Sequence, residues 1–76
     1  MKLRNIDSRK TVKAFERMGM KILHQAGTHI IMKGILNGKQ KTLSIPIHHK
    51  EISVGVLTDL LNNQAEISRE EFFKYY

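Results

Sequence analysis

The segment HQAGTHIIMKG, residues 24–34, holds a chain reversal and the opening of an apolar strand. Ala26-Gly27 turns the chain, with glycine supplying the backbone freedom that a tight reversal needs. Beyond the turn, THIIMK alternates: Thr28, Ile30 and Met32 share one face, and His29, Ile31 and Lys33 share the other. The face carrying Lys33 is read as the solvent face, which places His29 outside the core at the mouth of a glycine turn. A histidine at the head of an apolar strand could be core filler, a metal ligand or an acid–base group. The alternation weakens the first of these.

Working outward, MKILHQ (20–25) reads as a strand before the turn, and GILNGK (34–39) carries Asn37-Gly38 as the signal of a second turn. A third strand, KTLSIPI (41–47), sets Leu43, Ile45 and Ile47 against Thr42, Ser44 and Pro46. Pro46 cannot donate to a ladder and is expected at the strand's end or on an unpaired edge.

Upstream, DSRKTVKAFERMG places Val12, Phe15 and Met18 on one helical stripe, with Ala14 beside it. Asp7 or Ser8 can cap a helix running from about Ser8 to Met18, and Gly19 suits its left-handed exit. Downstream, SVGVLTDLLNNQA predicts a second amphipathic helix, with Ser53 as cap and Val56, Leu57, Leu60 and Leu61 toward the sheet. Gly55 lowers helix propensity there but would let the first turn approach another backbone. ISREEF (67–72) pairs Ser68 with Glu71 as a capping box, and Ile67 can staple to Phe72. A short final helix from Arg69 follows. The order is helix, three antiparallel strands, helix, short helix. Two helices with one apolar face each need a sheet with one apolar face, which predicts an α+β two-layer sandwich.

The 76 residues allow one domain, 1–76, and only a small core. With 41% apolar and 26% charged residues the chain is of the folded kind. It contains no cysteine, which removes disulfides, thiolate catalysis and cysteine-bearing zinc sites. No apolar run approaches the roughly 18 residues of a membrane span, and MKLRNIDSRK lacks a signal peptide's apolar segment. A cytoplasmic location is expected. Residues 1–50 carry 11 Lys or Arg against two acids, Asp7 and Glu16, whereas residues 51–76 carry two basic residues against five acids. A basic body suggests a polyanion such as RNA or DNA; a generically soluble basic surface accounts for the charge equally well.

Four histidines (His24, His29, His48 and His49) raise the question of zinc. In an extended segment His48 and His49 point to opposite faces, and no His-x₃₋₅-His helix is present, so no metal or other cofactor is expected. A serine hydrolase lacks its G-x-S-x-G elbow here. RNA cleavage demands less, because RNA supplies its own nucleophile, the 2′-hydroxyl. Histidine titrates near neutrality and can move the necessary proton, with a typical gain of about 10²–10⁴-fold. Lysines can stabilise the charge developing on phosphorus. Taken singly, an exposed histidine is more often an ordinary surface residue.

Together these residues resemble the HicA-type toxins of toxin–antitoxin pairs, also described as YcfA-like mRNA interferases. The likeness covers nearly the whole chain. Lys13-Ala14-Phe15-Glu16-Arg17-Met18-Gly19 is similar to the family's opening helix, and Gly27-Thr28-His29 stands in the place of its Gly-Ser-His. Ile45-Pro46-Ile47-His48, then Lys50-Glu51-Ile52 with Gly55-Val56-Leu57, and finally Glu70-Glu71-Phe72 follow in the family's order. The resemblance implies a double-stranded-RNA-binding-like α-β-β-β-α fold. It also implies metal-independent endoribonuclease cleavage of mRNA by a single catalytic histidine, His29, with Gly27 and Thr28 as the supporting turn, and a HicB-type antitoxin as partner. Lys21, Lys33, Lys39 and Lys41 are the candidates for holding RNA phosphates, and His48 is a possible second functional group or a polar residue at a strand end.

Three departures stand out. Thr28 replaces serine but keeps the hydroxyl, Ile30 stands where many members are polar, and His24 stands where a basic residue is common. The segment EISVGVL lacks the lysine cluster that duplex binders place at the second helix, which points to single-stranded mRNA. Two other readings remain: a non-catalytic RNA-binding module, and an inactive member that only binds an antitoxin through Ile31, Phe72, Phe73, Tyr75 and Tyr76.

Overall fold

A computed structural model describes residues 5–76; residues 1–4 of the expected 1–76 domain lie outside the described residues. The elements run β1 (Ile6–Asp7), α1 (Ser8–Arg17), β2 (Lys21–Ala26), β3 (His29–Leu36), β4 (Lys39–Pro46), β5 (Glu51–Ile52), α2 (Val54–Asp59) and α3 (Arg69–Tyr75). Between α2 and α3 the helix widens into a π-type coil over Leu60–Ala65. The chain is the α+β sandwich its patterning predicts, a helix followed by a three-stranded antiparallel sheet and further helices, compatible with the double-stranded-RNA-binding-like order.

Local chemistry sets most of the boundaries. Asp7, not Ser8, caps α1: its carboxylate accepts from the Lys10 N–H at 2.9 Å. Ser8 is buried instead, and its hydroxyl lies 2.9 and 3.1 Å from the carbonyl oxygens of His49 and Lys50. Gly19, at φ +104°, takes the chain out of the helix. Ser53 and Ser68 cap α2 and α3 by accepting from the Val56 and Glu71 N–H groups at 3.3 and 3.1 Å. Asn37-Gly38 forms a two-residue hairpin turn with both residues at positive φ, 51° and 78°, the twist that joins antiparallel strands without splay.

The sheet order is β2-β3-β4. One face is packed by the helices: Met32, Leu43 and Ile45 meet Phe15, Leu57, Leu60, Leu61 and Phe72, all at most 1% exposed. Phe15 and Phe72 sit with ring centroids 5.5 Å apart, which docks α3 onto α1. Ile67 and Phe72 are both buried, and Phe73, Tyr75 and Tyr76 pack against the same core. The Tyr76 hydroxyl accepts from the Asp7 N–H at 2.9 Å, so the terminal aromatics are engaged within the fold.

Three local readings are corrected, and one element is added. Val56 is 42% exposed, and the buried stripe of the second helix runs through Leu57, Leu60, Leu61 and Ala65. Counted from Leu57 these are positions i, i+3, i+4 and i+8, the spacing of a single helical face. Gly55 opens on empty space, whereas Gly34 is the glycine in close approach: a Cβ there would stand 2.8 Å from the Met20 Cα. Thr28 belongs to the turn, so β3 opens at His29. A small ladder joins Ile6 to Ile52 and Asp7 to Glu51, tying the entry of α1 to the entry of α2.

The candidate site on the open sheet face

The helices cover one face of the sheet and leave the other open. On β3 the open face carries His29, Ile31, Lys33 and Ile35 in sequence, as period-two alternation requires. His29 pairs with Ala26 on one side and Pro46 on the other, so it stands on the central strand with backbone fixed from both flanks. Gly27 makes the turn before it at φ +61°. The Thr28 carbonyl accepts from the Ile47 N–H at 2.7 Å, which anchors the turn to the strand opposite.

That last bond also fixes the character of the next pair. Narrow and wide pairs alternate along an antiparallel ladder, so His29 and Pro46 form a non-hydrogen-bonded pair, in which side chains lie closest. Pro46 therefore has no donor to lose on the side of β3. Two positions earlier, the Ser44 N–H also points outward, and the Gln64 side chain accepts it at 2.9 Å. Proline and Gln64 together leave no free outward donor at residues 44 and 46 of β4.

The His29 imidazole is half-buried, and its Nδ1 lies 3.2 Å from the Thr28 hydroxyl oxygen. Each tautomer leaves Nε2 with a different task. When Nδ1–H donates to the threonine oxygen, Nε2 keeps its lone pair and can accept a proton. When the hydroxyl donates to Nδ1, Nε2 carries the proton and can give it.

The four lysines separate by face. Lys21 and Lys33 are direct cross-strand partners on the open face with His29. Lys41 and Lys39 pair with Gly34 and Leu36, positions of the helix-packed face. The Lys41 Nζ is 3.0 Å from a Glu66 carboxylate oxygen, with its side chain 14% exposed. The hydrogen bond and charge of Lys41, with a smaller contribution from Lys39, hold the Glu66 carboxyl below its ordinary range against a slight opposing effect of burial. His48 is exposed, two residues beyond Pro46, and meets His49 edge-on with centroids 4.5 Å apart. Residues 48–50 bend rather than extend, which is why these neighbours converge where a strand would have sent them to opposite faces. Among the described residues no three His, Cys, Asp or Glu side chains gather as a metal site.

Two features of the face escape periodicity. From residue 17 to residue 50 the chain has no Asp or Glu, so the three strands of this sheet, β2, β3 and β4, are free of carboxylates. The second is a bulge in β2. Ile22 pairs with Met32 and His24 pairs with Ile31, leaving Leu23 as the extra residue. Lys21 and His24 are three apart and would face opposite ways in a regular strand; with the bulge both join the open face. Their odd spacing is a sequence signal only to a reader who already knows the face.

A small α+β sandwich with an uncovered, acid-free sheet face is thus the class that fold and site define. The profile of the family described as HicA toxin of bacterial toxin-antitoxin matches residues 8–67, from α1 to the end of the π-type coil and just beyond. The chain belongs to that family and is a toxin of a toxin–antitoxin system, so an antitoxin partner goes with it. Comparisons with curated proteins and with solved structures find no match. Among the described residues no helix is long and apolar enough to cross a membrane.

Proposed function

We propose that the chain is a metal-independent endoribonuclease that cuts single-stranded mRNA on the open sheet face, with His29 as its catalytic group. The observation that carries this reading is the placement of His29: on the central strand, at the end of a face with no carboxylate, its Nδ1 against the Thr28 hydroxyl. With Nδ1–H donated to Thr28, Nε2 takes the proton of an RNA 2′-hydroxyl as that oxygen attacks phosphorus. The O2′–P bond forms, the P–O5′ bond breaks, and a proton reaches the departing O5′. Lys21 and Lys33, two rows along, hold phosphate by charge. Lys39 and Lys41 lie on the other parity, with Lys41 paired to Glu66, and serve the strand only where it wraps the sheet end. His48 sits beyond the paired strands as a peripheral polar group. The protein acts in the cytoplasm, where mRNA is, and a HicB-type antitoxin neutralises it by covering the face that carries His29.

The test is cleavage of a synthetic RNA in EDTA, beside the same oligonucleotide with a single 2′-deoxy sugar at the cleaved position. The expected result is cleavage of the all-RNA strand to a 2′,3′-cyclic phosphate and a 5′-hydroxyl, with the deoxy position uncut. Cleavage at the deoxy position would contradict the mechanism, because no 2′-oxygen is there to attack.

A further inference from the structure

Resting on that reading, we infer that His24 is a second catalytic residue of the same site, the general acid that protonates the leaving 5′-oxygen while His29 acts as base. A base alone leaves half of the reaction unserved, since O5′ is a strongly basic leaving group and must gain a proton as its bond to phosphorus breaks.

The register supplies the candidate. His24 pairs directly with Ile31, and His29 lies two residues before Ile31 on the same strand. The two histidines are therefore diagonal neighbours on one face, a relation that sets positions about 7–8 Å apart. That separation admits a phosphodiester between two imidazoles, and it is too long for them to bond each other. Ile31 fills the position beside His24 and keeps the floor between them apolar. The site is thus flanked by two proton carriers and floored by an aliphatic side chain.

The bulge at Leu23 makes the arrangement possible. Bulges re-aim side chains at the expense of ladder regularity, and they concentrate next to functional sites. Here the extra residue lets Lys21, His24 and Ala26 all share the face of His29 and Lys33. His24 is exposed, so core packing does not account for an imidazole there. The charged groups facing it are Lys21 and Lys33 one row away; β2, β3 and β4 contain no acid at all.

The steps balance. His29 Nε2 receives the 2′-hydroxyl proton, the O2′–P bond forms as P–O5′ breaks, and His24 gives its ring proton to O5′. Each histidine then returns to its starting state by exchange with water, and the products are a 2′,3′-cyclic phosphate and a 5′-hydroxyl.

The experiment measures cleavage by the wild type and by His24→Gln, His24→Arg and His29→Ala on two substrates. One is an ordinary RNA. The other carries sulfur in place of the 5′-oxygen at the cleaved bond, a leaving group that needs no proton. His24→Gln is expected to lose about 10²-fold on ordinary RNA and to return to within a few-fold of wild type on the sulfur substrate. His29→Ala should stay slow on both. His24→Arg keeps a positive charge without a transferable proton, so it should be as slow as Gln on ordinary RNA. The alkaline limb of the wild-type pH–rate profile should disappear in both His24 variants. The inference is overturned if His24→Gln cuts ordinary RNA at the wild-type rate, if its deficit is equal on both substrates, or if Arg restores the rate, which would make His24 a phosphate cation. A wild type inert on both substrates would instead bring down the ribonuclease reading, and this one with it.

Discussion

At the scale of single residues, Thr28 and Gly34 carry the clearest expectations. The Thr28 hydroxyl is the partner of His29 Nδ1, and in the proposed mechanism it selects which ring nitrogen faces the RNA. Thr28→Ala should lower cleavage by about 3- to 10-fold, the worth of one orienting hydrogen bond, and Thr28→Ser should stay near wild type. A rate loss in the serine variant equal to that in alanine would show that the threonine methyl, not the hydroxyl, matters. Gly34 lets the Met20 backbone cross the packed face of the sheet, and a methyl there would stand 2.8 Å from its Cα. Since the obstacle is backbone, it cannot swing aside. Gly34→Ala should destabilise by about 1–3 kcal/mol, read as a fall in the thermal midpoint, as overpacked sites do.

At the scale of elements, the open face sets two like charges directly opposite each other. Lys21 and Lys33 are Cα partners, an arrangement that costs a few tenths of a kcal/mol unless an anion lies over it. Lys33→Thr should therefore raise the thermal midpoint of the free protein slightly while weakening RNA binding. The slope of log affinity against log salt should fall by about one for the lost phosphate contact. A variant both less stable and equally tight would remove the pair from the interface. These elements also show what patterning can and cannot reach. Helix ends at Asp7, Ser53 and Ser68, the Asn37-Gly38 turn and the alternation that exposes His29 are local, and all are legible in the sequence. The β2 bulge, the Ile6–Ile52 ladder, the burial of Ser8 and the Gly34–Met20 approach depend on residues far apart in the chain or on register. A period-two reading carries no register, so it cannot see that Lys21 and His24 share a face. For the same reason the four lysines read as one set, although the ladder divides them between faces.

At the scale of the whole molecule, Lys41 and Glu66 tie the sheet to the exit of the π-type coil. The carboxyl of Glu66 is held below the ordinary value of 4.5. The stability it contributes is complete above that value and is lost as pH falls through the lower, folded one. The difference in denaturant midpoint between wild type and Glu66→Gln should be present at pH 7 and shrink progressively below about pH 4.5; it should also shrink with added salt. A gap that widens in acid would reverse the sign of the linkage. The charge distribution has a functional counterpart at the same scale. The stretch from 17 to 50 holds β2, β3 and β4 and no acid, and five of the seven acids lie beyond it. The RNA of the proposed function would thereby be steered to the sheet and away from the C-terminal helices. The measurement that tests the central claim most directly is RNA cleavage by antitoxin-free protein in EDTA, wild type beside His29→Ala, with RNA binding measured for both. Cleavage by the wild type alone, with equal binding, is the result expected of a metal-free nuclease whose proton carrier is His29. Equal cleavage by the two, or RNA bound equally and cut by neither, would contradict it.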